Sequence, residues 1–334
     1  MRFSEPENNH SNGLRPNEQH EVRHHELVIG PEQAGKRLDR MLADAFPEYS
    51  RTRLQAWIAD GRVVVDGRAQ RARSRLETGQ RVVLEAVLEP VIEDSPEPIA
   101  LDIVHEDADL IVINKPPGLV VHPGAGNRSG TLVNALLHHA PVLSHLPRAG
   151  LVHRLDKDTS GLLVVAKTTA SHAALVAALA RREIHREYRA LVRGDIVAGS
   201  RIEAPIGRHP TVRTRMAVNS KGKPAVTHTR VLERLGGYTF LAVTLESGRT
   251  HQIRVHLSHA GTPIVGDPLY AKRLGLVPGL SVATAEAVRN FPRQALHAAR
   301  LEFRHPVTGE ACTFEAPLPA DMAELLAVLR ESAA

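Results

Sequence analysis

One segment of the sequence gathers the side chains best suited to chemistry. Residues 150–167 run from an apolar approach into a dense polar cluster, and an apolar strand leads out of it. Within this cluster Asp156 lies between Arg154 and Lys157, and the nearby positive charge favours its ionised form. A carboxylate on a loop between hydrophobic strands is a candidate nucleophile. For the isolated segment, a capping aspartate in a surface turn is the simpler interpretation.

Other catalytic chemistries fit the sequence poorly. Asp156 and Asp158 share one turn, whereas the two carboxylates of a glycosidase lie about 5 to 9.5 Å apart and usually come from different elements. The sequence has no GxxxxGK[ST] phosphate loop, and the glycines of 124–130 depart from the dinucleotide fingerprint. His251 and His256 are five residues apart, not the four of a helical zinc motif. We therefore expect no metal and no nucleotide cofactor.

The composition is that of a globular protein of roughly two domains: 334 residues, 43% hydrophobic and 24% charged. No apolar run is long enough to span a bilayer, no secretory signal is visible, and the single Cys312 excludes an intramolecular disulfide. We therefore expect a cytoplasmic protein without a membrane partner.

Positive charge is concentrated in two segments, although the formal net charge is only +5. Residues 51–81 hold eight arginines against three acids, and residues 181–230 hold twelve Lys and Arg against four acids. Arginine forks suit phosphate, so these segments indicate a polyanionic partner. A well-solvated surface in an arginine-rich proteome is the open alternative, and 3% aromatic content disfavours a stacking platform for single strands.

The N-terminal quarter is predicted to hold a disordered tail over 1–25 and a small domain over 27–88. Apolar spacing indicates two successive helices, the second beginning after Ser50 and ending at Gly61, and then short strands. Arg51 and Arg53 lie near the start of the second helix, where backbone N–H groups attract phosphate.

The rest of the chain is predicted to be an acidic, Pro-rich linker at 89–98 and a domain at 99–330. Helices and short strands follow no βαβ rhythm, so an α+β sheet domain is expected. Residues 273–291 are Gly/Pro-punctuated and predict a surface insertion. Strands are predicted at 110–114, 119–121, 161–166, 188–192, 226–232, 239–245 and 311–315, and helices at 131–139 and 171–182.

Several strings of this sequence resemble known motifs. The string GLVHRLDKDTSGLLVVAKT at 150–168 is similar to the active-site motif of the RluA family of pseudouridine synthases. The N-terminal domain resembles the S4 RNA-binding domain in its two helices and in the strings GRV at 61–63 and VDG at 65–67. The resemblance extends from about residue 27 to 330. Further family-like strings follow in order: REYRA at 186–190, KPAVT at 223–227, ESGRTHQIRVHL at 246–257, GDPLY at 266–270 and QALHA at 294–298.

The resemblance implies a fold and a set of site residues. The implied fold is α+β: a mixed, largely antiparallel-sheet catalytic domain and a small N-terminal S4-like (α-L) RNA-binding domain. Asp156 matches the catalytic aspartate, Tyr188 the active-site tyrosine, and Arg254 the arginine that pairs with the aspartate. Arg154 looks like the arginine that replaces the extruded base, and substrate contacts are further expected from Lys167, Ile253, Arg51 and Arg53.

The reaction implied is the isomerisation of uridine to pseudouridine without any cofactor. The implied partner is 23S ribosomal RNA in the large ribosomal subunit, with targets in the helix 69 stem-loop, and a monomeric enzyme is expected. Other rRNA or tRNA uridines are an alternative target. A non-catalytic S4-type assembly factor is the rival from another class, because it would not need Asp156 beside Tyr188 and Arg254; a cofactor-free glycosidase is a third possibility.

Overall fold

The chain divides into two compact units, Met1–Pro90 and Val91–Ala334. Among the residues that the structure describes, no helix is both long and apolar enough to cross a membrane. In this computed structural model the described residues are 21–49, 51–88, 95–124, 127–212, 214–271 and 275–333.

The N-terminal unit packs two helices against a four-stranded antiparallel sheet of order β1-β4-β2-β3. Each helix buries a stripe of apolar side chains at i, i+3 and i+4, and these form one core with strand residues. The elements are β1 Glu21–Val28, α1 Leu38–Ala45, α2 Arg51–Ala59, β2 Val63–Val65, β3 Arg68–Ala69 and β4 Arg81–Leu88.

Strand β1 corrects the predicted extent of the disordered tail. Residues 21–25 pair with β4 from Glu21 opposite Leu88 onwards, so the ordered unit begins at least six residues before Leu27. This strand lies at the sheet edge and is largely exposed, with Val28 62% accessible, and so lacks the apolar alternation of a half-buried strand. Residues 1–20 of the predicted tail, and the predicted Ser50 cap, lie outside the described residues.

The predicted turns of this unit are confirmed by backbone geometry. Gly61 follows α2 with φ of 75°, the left-handed conformation that glycine adopts at helix ends. Asp66 and Gly67 join β2 to β3 with φ of 49° and 73°, as a two-residue type I′ hairpin requires.

The C-terminal unit is built on a nine-stranded sheet of order β5-β6-β7-β14-β8-β13-β12-β9, with β15 paired to β14. Every pairing is antiparallel except β7 with β14, where Ser160 lies opposite His297, so the sheet is mixed and largely antiparallel, confirming the α+β prediction. Its strands are β5 Ile103–Glu106, β6 Leu110–Lys115, β7 Ser160–Ala166, β8 His185–Arg193, β9 Ser200–Glu203, β12 Val226–Arg234, β13 Tyr238–Leu245, β14 Leu296–Arg304 and β15 Ala311–Glu315.

Helices and a small hairpin complete this unit. β10 Ile206–Arg208 and β11 Met216–Val218 form a separate two-stranded sheet. Two short 3-10 helices, Pro141–His145 and Pro147–Gly150, lead toward the polar segment singled out above. The α-helices are α3 Leu132–His139, α4 Thr169–Ala180, α5 Gln252–His259, α6 Val282–Asn290 and α7 Ala320–Ala333.

Strand β7 is buried on both faces of the sheet. Leu163 and Val165 belong to the large apolar core, whereas Leu162 and Val164 belong to a second core that includes Leu175 of α4. Burial on both faces explains why the sequence of this strand is a continuous apolar run rather than an alternating one. The strand is therefore a rigid support for the loop that precedes it.

One prediction for this unit is wrong and a second is incomplete. Residues 119–121 do not form a strand, since Val120 makes only an isolated bridge to Thr131, and the prolines before and after leave no room for a ladder. Residues 275–291 of the predicted surface insertion at 273–291 are mostly exposed or half-buried, but α6 buries Val288 in the main core, and the buried Phe291 follows it. Its Gly/Pro punctuation concealed those apolar contacts.

Candidate active site

Three elements bring the candidate residues into one cleft of about 700 Å³. The loop before β7 contributes Asp156, strand β8 contributes Tyr188, and helix α5 contributes Arg254. These side chains come from positions almost one hundred residues apart, and nothing in the local sequence requires them to meet. A cleft of this volume is in the range of small-molecule and nucleotide sites.

A chain of charge-assisted hydrogen bonds holds Asp156. Arg254 donates from Nη1 to Oδ2 of Asp156 at 2.9 Å, and from Nε and Nη2 to Asp267 at 2.7 and 2.9 Å. Exposure falls along the chain, from 16% for the Asp156 side chain to 5% for Arg254 and 0% for Asp267. Asp267 is itself fixed by the backbone N–H groups of Leu269 and Tyr270. The carboxylate of Asp156, the candidate catalytic group, therefore contacts a guanidinium that Asp267 already orients.

Arg254 remains charged despite its burial. Burial opposes the charged form, but the hydrogen bonds and negative charges of Asp267 and Asp156 outweigh it and raise the pKa of Arg254 above its usual value. Its guanidinium also lies 5.2 Å from the ring centre of Tyr270. A fixed positive charge thus faces Asp156 inside the cleft.

The loop that carries Asp156 is held by its backbone. The buried ammonium of Lys115 donates to three carbonyl groups, those of Pro116, Leu119 and Lys157, at 2.6 to 3.0 Å. Burial is the main cause that lowers the pKa of Lys115 to about 7. Because Lys157 follows Asp156 directly, this clamp fixes the backbone beside the carboxylate.

Gly161 allows the loop to join β7. Its φ is 110°, and a β-carbon there would lie 2.2 Å from the carbonyl oxygen of Ala298 on the parallel neighbour β14. Only glycine fits this close approach of two backbones.

Tyr188 presents a neutral phenol to the cleft. The side chain is 5% exposed, and its burial raises the pKa of the hydroxyl, while Arg186 opposes that shift and Asp156 adds to it. It lies in β8, paired with β13 and β14 on either side, so its position is fixed by the centre of the sheet. An aromatic ring so placed can stack on a base.

His251 and Tyr270 are site residues to which the sequence assigned no role. The Tyr270 hydroxyl accepts from the backbone N–H of Met216 and forms a hydrogen bond of 2.9 Å with Nδ1 of His251. Nε2 of His251 lies 3.8 Å from Oδ1 of Asp156. His251 has a left-handed backbone with φ of 56°, a strained state for histidine. Both residues stand in family-like strings, which was the only available signal.

The remaining predicted residues divide into two groups. Ile253 lines the cleft and is 4% exposed, and Arg154 also lines it but is solvent-exposed. The structure does not bring Lys167 to the cleft. Lys167 follows the last residue of β7, and its ammonium donates to the Glu106 carboxylate at 2.8 Å.

Arg51 and Arg53 lie on α2 of the N-terminal unit. Arg51 donates to the buried carboxylate of Asp39 at 2.9 Å while remaining half exposed, and the Arg53 guanidinium lies 5.7 Å from the ring centre of Trp57. Both arginines therefore have a role in packing this unit in addition to any contact with RNA.

One group of described side chains has metal-ligand spacing, namely Asp107, Asp109 and His305, whose ligand atoms lie within 4.8 Å of one another. The oxygens of Asp107 already accept from His105 and His305 and from the backbone N–H groups of Asp109 and Leu110. Two backbone N–H groups donate to Nδ1 of His305, which leaves its Nε2 protonated. Asp107 and His305 are therefore already used by partners within the protein, and we assign the group no metal.

Comparison with known proteins agrees with the motifs. Residues 109–259 match the family model described as RNA pseudouridylate synthase, and residues 36–82 match the S4 domain. Ribosomal large subunit pseudouridine synthase D of Pseudomonas aeruginosa is 53% identical over 300 residues, covering 90% of this chain and 94% of that protein. The protein of the same name from Escherichia coli (strain K12) is 50% identical over 304 residues, covering 91% and 93%. The solved structure of Human RNA Pseudouridylate Synthase Domain Containing 4 has a TM-score of 0.54 at 28% identity, over 68% of this chain and 92% of that chain.

Proposed function

The chain belongs to the RNA pseudouridylate synthase family, and on that premise we propose that it isomerises uridines of 23S ribosomal RNA in the helix 69 stem-loop. The enzyme is an isomerase. The choice of large-subunit RNA is supported by relatives that carry that substrate in their names and match nine tenths of the chain. We further propose that it is cytoplasmic and that it acts as a monomer, because a cleft within one chain already gathers Asp156, Tyr188 and Arg254.

The reaction sets clear requirements for a site. The bond between C1′ and N1 of uridine breaks, the base turns, and C1′ joins C5, while C5 loses a proton and N1 gains one. No electrons are gained or lost overall. The site therefore needs a carboxylate at the ribose, a wall that retains the detached base, and donors for negative charge.

The contact between Arg254 and Asp156 is the observation that carries the proposal. Asp156 acts at the ribose, and Arg254 holds its carboxylate in one orientation in a site largely shielded from water. Tyr188 stacks on the uracil from strand β8, and Ile253 supplies apolar wall beside it. A non-catalytic RNA-binding factor has no use for this arrangement.

The target uridine must leave its stack to enter the cleft. Extrusion of a base costs a few kcal/mol, and least in a loop that is already unpaired. Arg154 is exposed at the cleft and is suited to occupy the space that the base leaves. A stem-loop is therefore a suitable substrate for this geometry.

The N-terminal unit is proposed to hold the RNA backbone. Arg68, Arg71 and Arg73 are exposed and form no ion pair with any described residue. Such arginines are free to contact phosphate, which positions an RNA without reading its sequence. Selection of the target then comes from RNA shape together with the fit of one uridine in the cleft.

Mapping of pseudouridines in ribosomal RNA tests the target. We expect a strain that lacks this protein to lose the helix 69 pseudouridines, detected by carbodiimide treatment and primer extension. Expression of the wild-type protein should restore them, and expression of the Asp156→Asn variant should not. Persistence of every helix 69 pseudouridine in the deletion strain would contradict the proposed target, and loss at other rRNA or tRNA positions would identify the actual one.

A further inference from the structure

The reaction creates a negative charge that Asp156, Tyr188 and Arg254 do not neutralise. When the bond from C1′ to N1 breaks, its electron pair stays with the uracil and spreads over N1 and the ring oxygens. Arg254 is already committed to two carboxylates, Asp156 and Asp267. A second cation facing the base would stabilise this intermediate, since preorganised donors at a developing charge contribute strongly to catalysis.

Arg186 is placed to be that cation. It precedes Tyr188 by two residues in β8, so the two side chains leave the strand on the same face. Both line the cleft that holds Asp156. A β-carbon on Gly248 would lie 3.1 Å from Nη1 of Arg186, so the guanidinium lies directly against the bare backbone of the opposite wall.

Arg186 has no counter-ion among the described residues. Its Nε atom is buried and has no hydrogen-bond partner there, and no described carboxylate lies within ion-pair distance. Two neighbouring acids have other partners. Glu187, the next residue in the chain, accepts from Arg189, and Glu246, which follows the paired strand β13, accepts from Arg182. An unpaired cation with a buried donor is costly, which indicates that an anionic ligand completes it.

The histidine whose titration Arg186 affects does not add charge. His153 is partly buried, and burial, assisted by the positive charge of Arg186, lowers the pKa of His153 to about 3. His153 is therefore neutral, and its Nε2 accepts from the backbone N–H of Val164. Arg186 is therefore the cation that lies in the cleft wall between Tyr188 and Gly248.

We propose that Arg186 is a catalytic residue that binds the anionic uracil released by cleavage of the C1′–N1 bond and stabilises it while the ring turns. The guanidinium donates to the ring oxygen that carries the negative charge. When the new bond forms, the electron pair of the anion is shared between C5 and C1′. The proton then lost from C5 balances the one gained at N1. No additional reactant is required.

A phosphate next to the target uridine is the other anion that could meet a guanidinium here. Arg148, Arg154 and Arg249 line the same cleft but are exposed, which suits phosphates that stay at the protein surface. Arg186 has a buried donor and shares its strand face with the stacking tyrosine. The geometry therefore favours the base over the backbone of the RNA.

Single-turnover kinetics at saturating enzyme test the proposal, with any RNA in which the wild type forms pseudouridine. We expect Arg186→Gln to lower the rate by about 100-fold or more, the effect of removing one donor to a developing anion. RNA affinity should change less than threefold. Arg186→Lys, which keeps the charge without the fork, should recover part of the rate and serves if the Gln variant does not fold. Arg181→Gln is the matched control, because Arg181 is exposed, pairs with Glu183 and lies outside the cleft.

The salt dependence of RNA binding separates the two anions. Removal of one arginine–phosphate interaction lowers the slope of log K against log salt by about 0.7 to 0.9. A saturated rate of Arg186→Gln within threefold of the wild type overturns the proposal, and a lower slope would then assign Arg186 to a phosphate. The inference rests on the family reaction and not on the helix 69 target, since a wrong target would appear as inactivity of the wild type on that RNA.

Discussion

Asp156 has a neighbour in the same turn that permits a matched comparison. Asp158 carries the same charge two residues away but does not line the cleft. We expect Asp156→Asn to lower pseudouridine formation by about 10⁴-fold or more, as removal of an essential catalytic group does, because the amide cannot act as an anion at the ribose. RNA affinity should stay within a few-fold.

Carbodiimide modification followed by primer extension measures the product, and filter binding measures affinity. The Asp158→Asn variant should keep its activity within about threefold. Equal loss in the two variants would show that charge in the turn matters rather than the carboxylate of Asp156, and retained activity in Asp156→Asn would refute its catalytic role.

His251 and Tyr270 should act as one unit on Asp156. Tyr270 holds the His251 ring through Nδ1, and Nε2 of that ring faces the Asp156 oxygen that Arg254 does not bond. We expect His251→Asn, which tolerates the left-handed backbone, and Tyr270→Phe each to lower kcat by about tenfold with little change in KM.

A double-mutant cycle on kcat is the measurement that checks this unit. Because both variants break the same chain, the double variant should be little worse than either single one. Multiplication of the two effects would show that His251 and Tyr270 act independently, and a change confined to KM would place them in substrate binding instead.

The elements of the N-terminal unit are joined by one buried carboxylate. Asp39 of α1 is fully buried and accepts from Arg51 and Gln55 of α2 and from Arg37. Burial alone would raise its pKa, but these donors prevail and lower it to about 2. The two helices are thus held together by an interaction that depends on pH.

The pKa of Asp39 predicts the pH range in which this unit loses stability. Because the folded pKa is below the unfolded one, the stabilisation is complete above about pH 4 and is lost as the pH falls through about 2. It amounts to about 2 kcal/mol. Trp57, the single tryptophan, lies in this unit, so its fluorescence in urea titrations reports unfolding of this unit.

Asp39→Asn is the control for this titration. Over pH 6 to 2, the difference in unfolding free energy between wild type and Asp39→Asn should shrink as the acid protonates. A difference that stays constant over this range would show that Asp39 does not hold its charge through these donors.

Elements whose burial is symmetrical or strongly periodic could be predicted from the sequence. The sequence predicts strand β7 nearly to its ends because both of its faces are buried, and it predicts α4 within two residues at each end because the segment is rich in alanine and leucine, which favour a helix. Central strand β14 is not predicted because His297, two arginines and Glu302 interrupt its apolar residues, although the strand is mostly buried. Helix α5 was missed for a related reason, since it buries Gln252, Arg254 and His256. Buried polar residues in site elements defeat a hydrophobic pattern.

The site itself could be predicted only through resemblance. Asp156, Tyr188 and Arg254 were identified by motif, and the structure brings them to one cleft. Their separation along the chain gives no local signal of proximity. The clamp by Lys115 and the partner Asp267 were missed because their roles depend on contacts across the fold.

Over the whole molecule, RNA affinity should depend on arginines of the N-terminal unit as well as on the cleft. Replacing Arg71 and Arg73 by Gln together should weaken rRNA binding and reduce the salt slope by about 1.5, because two arginine–phosphate interactions are removed. The single-turnover rate at saturation should be unchanged, because neither residue belongs to the cleft.

Binding titrations between about 50 and 200 mM salt measure that slope. Arg330→Gln is the matched control, since Arg330 is exposed on α7 and pairs with Glu233. An unchanged slope in the double variant would remove these arginines from the account of RNA binding.

Gly161 touches no proposed substrate group, yet its contact with β14 leaves no space for a single additional carbon atom. Purifying selection should therefore act on this position as severely as on the reactive acid five residues earlier. In a saturation-mutagenesis screen scored by growth or product, every replacement at 161 is expected to score as inactive. A map of tolerated substitutions would therefore not distinguish Gly161, which is required for backbone packing, from a residue that takes part in the reaction.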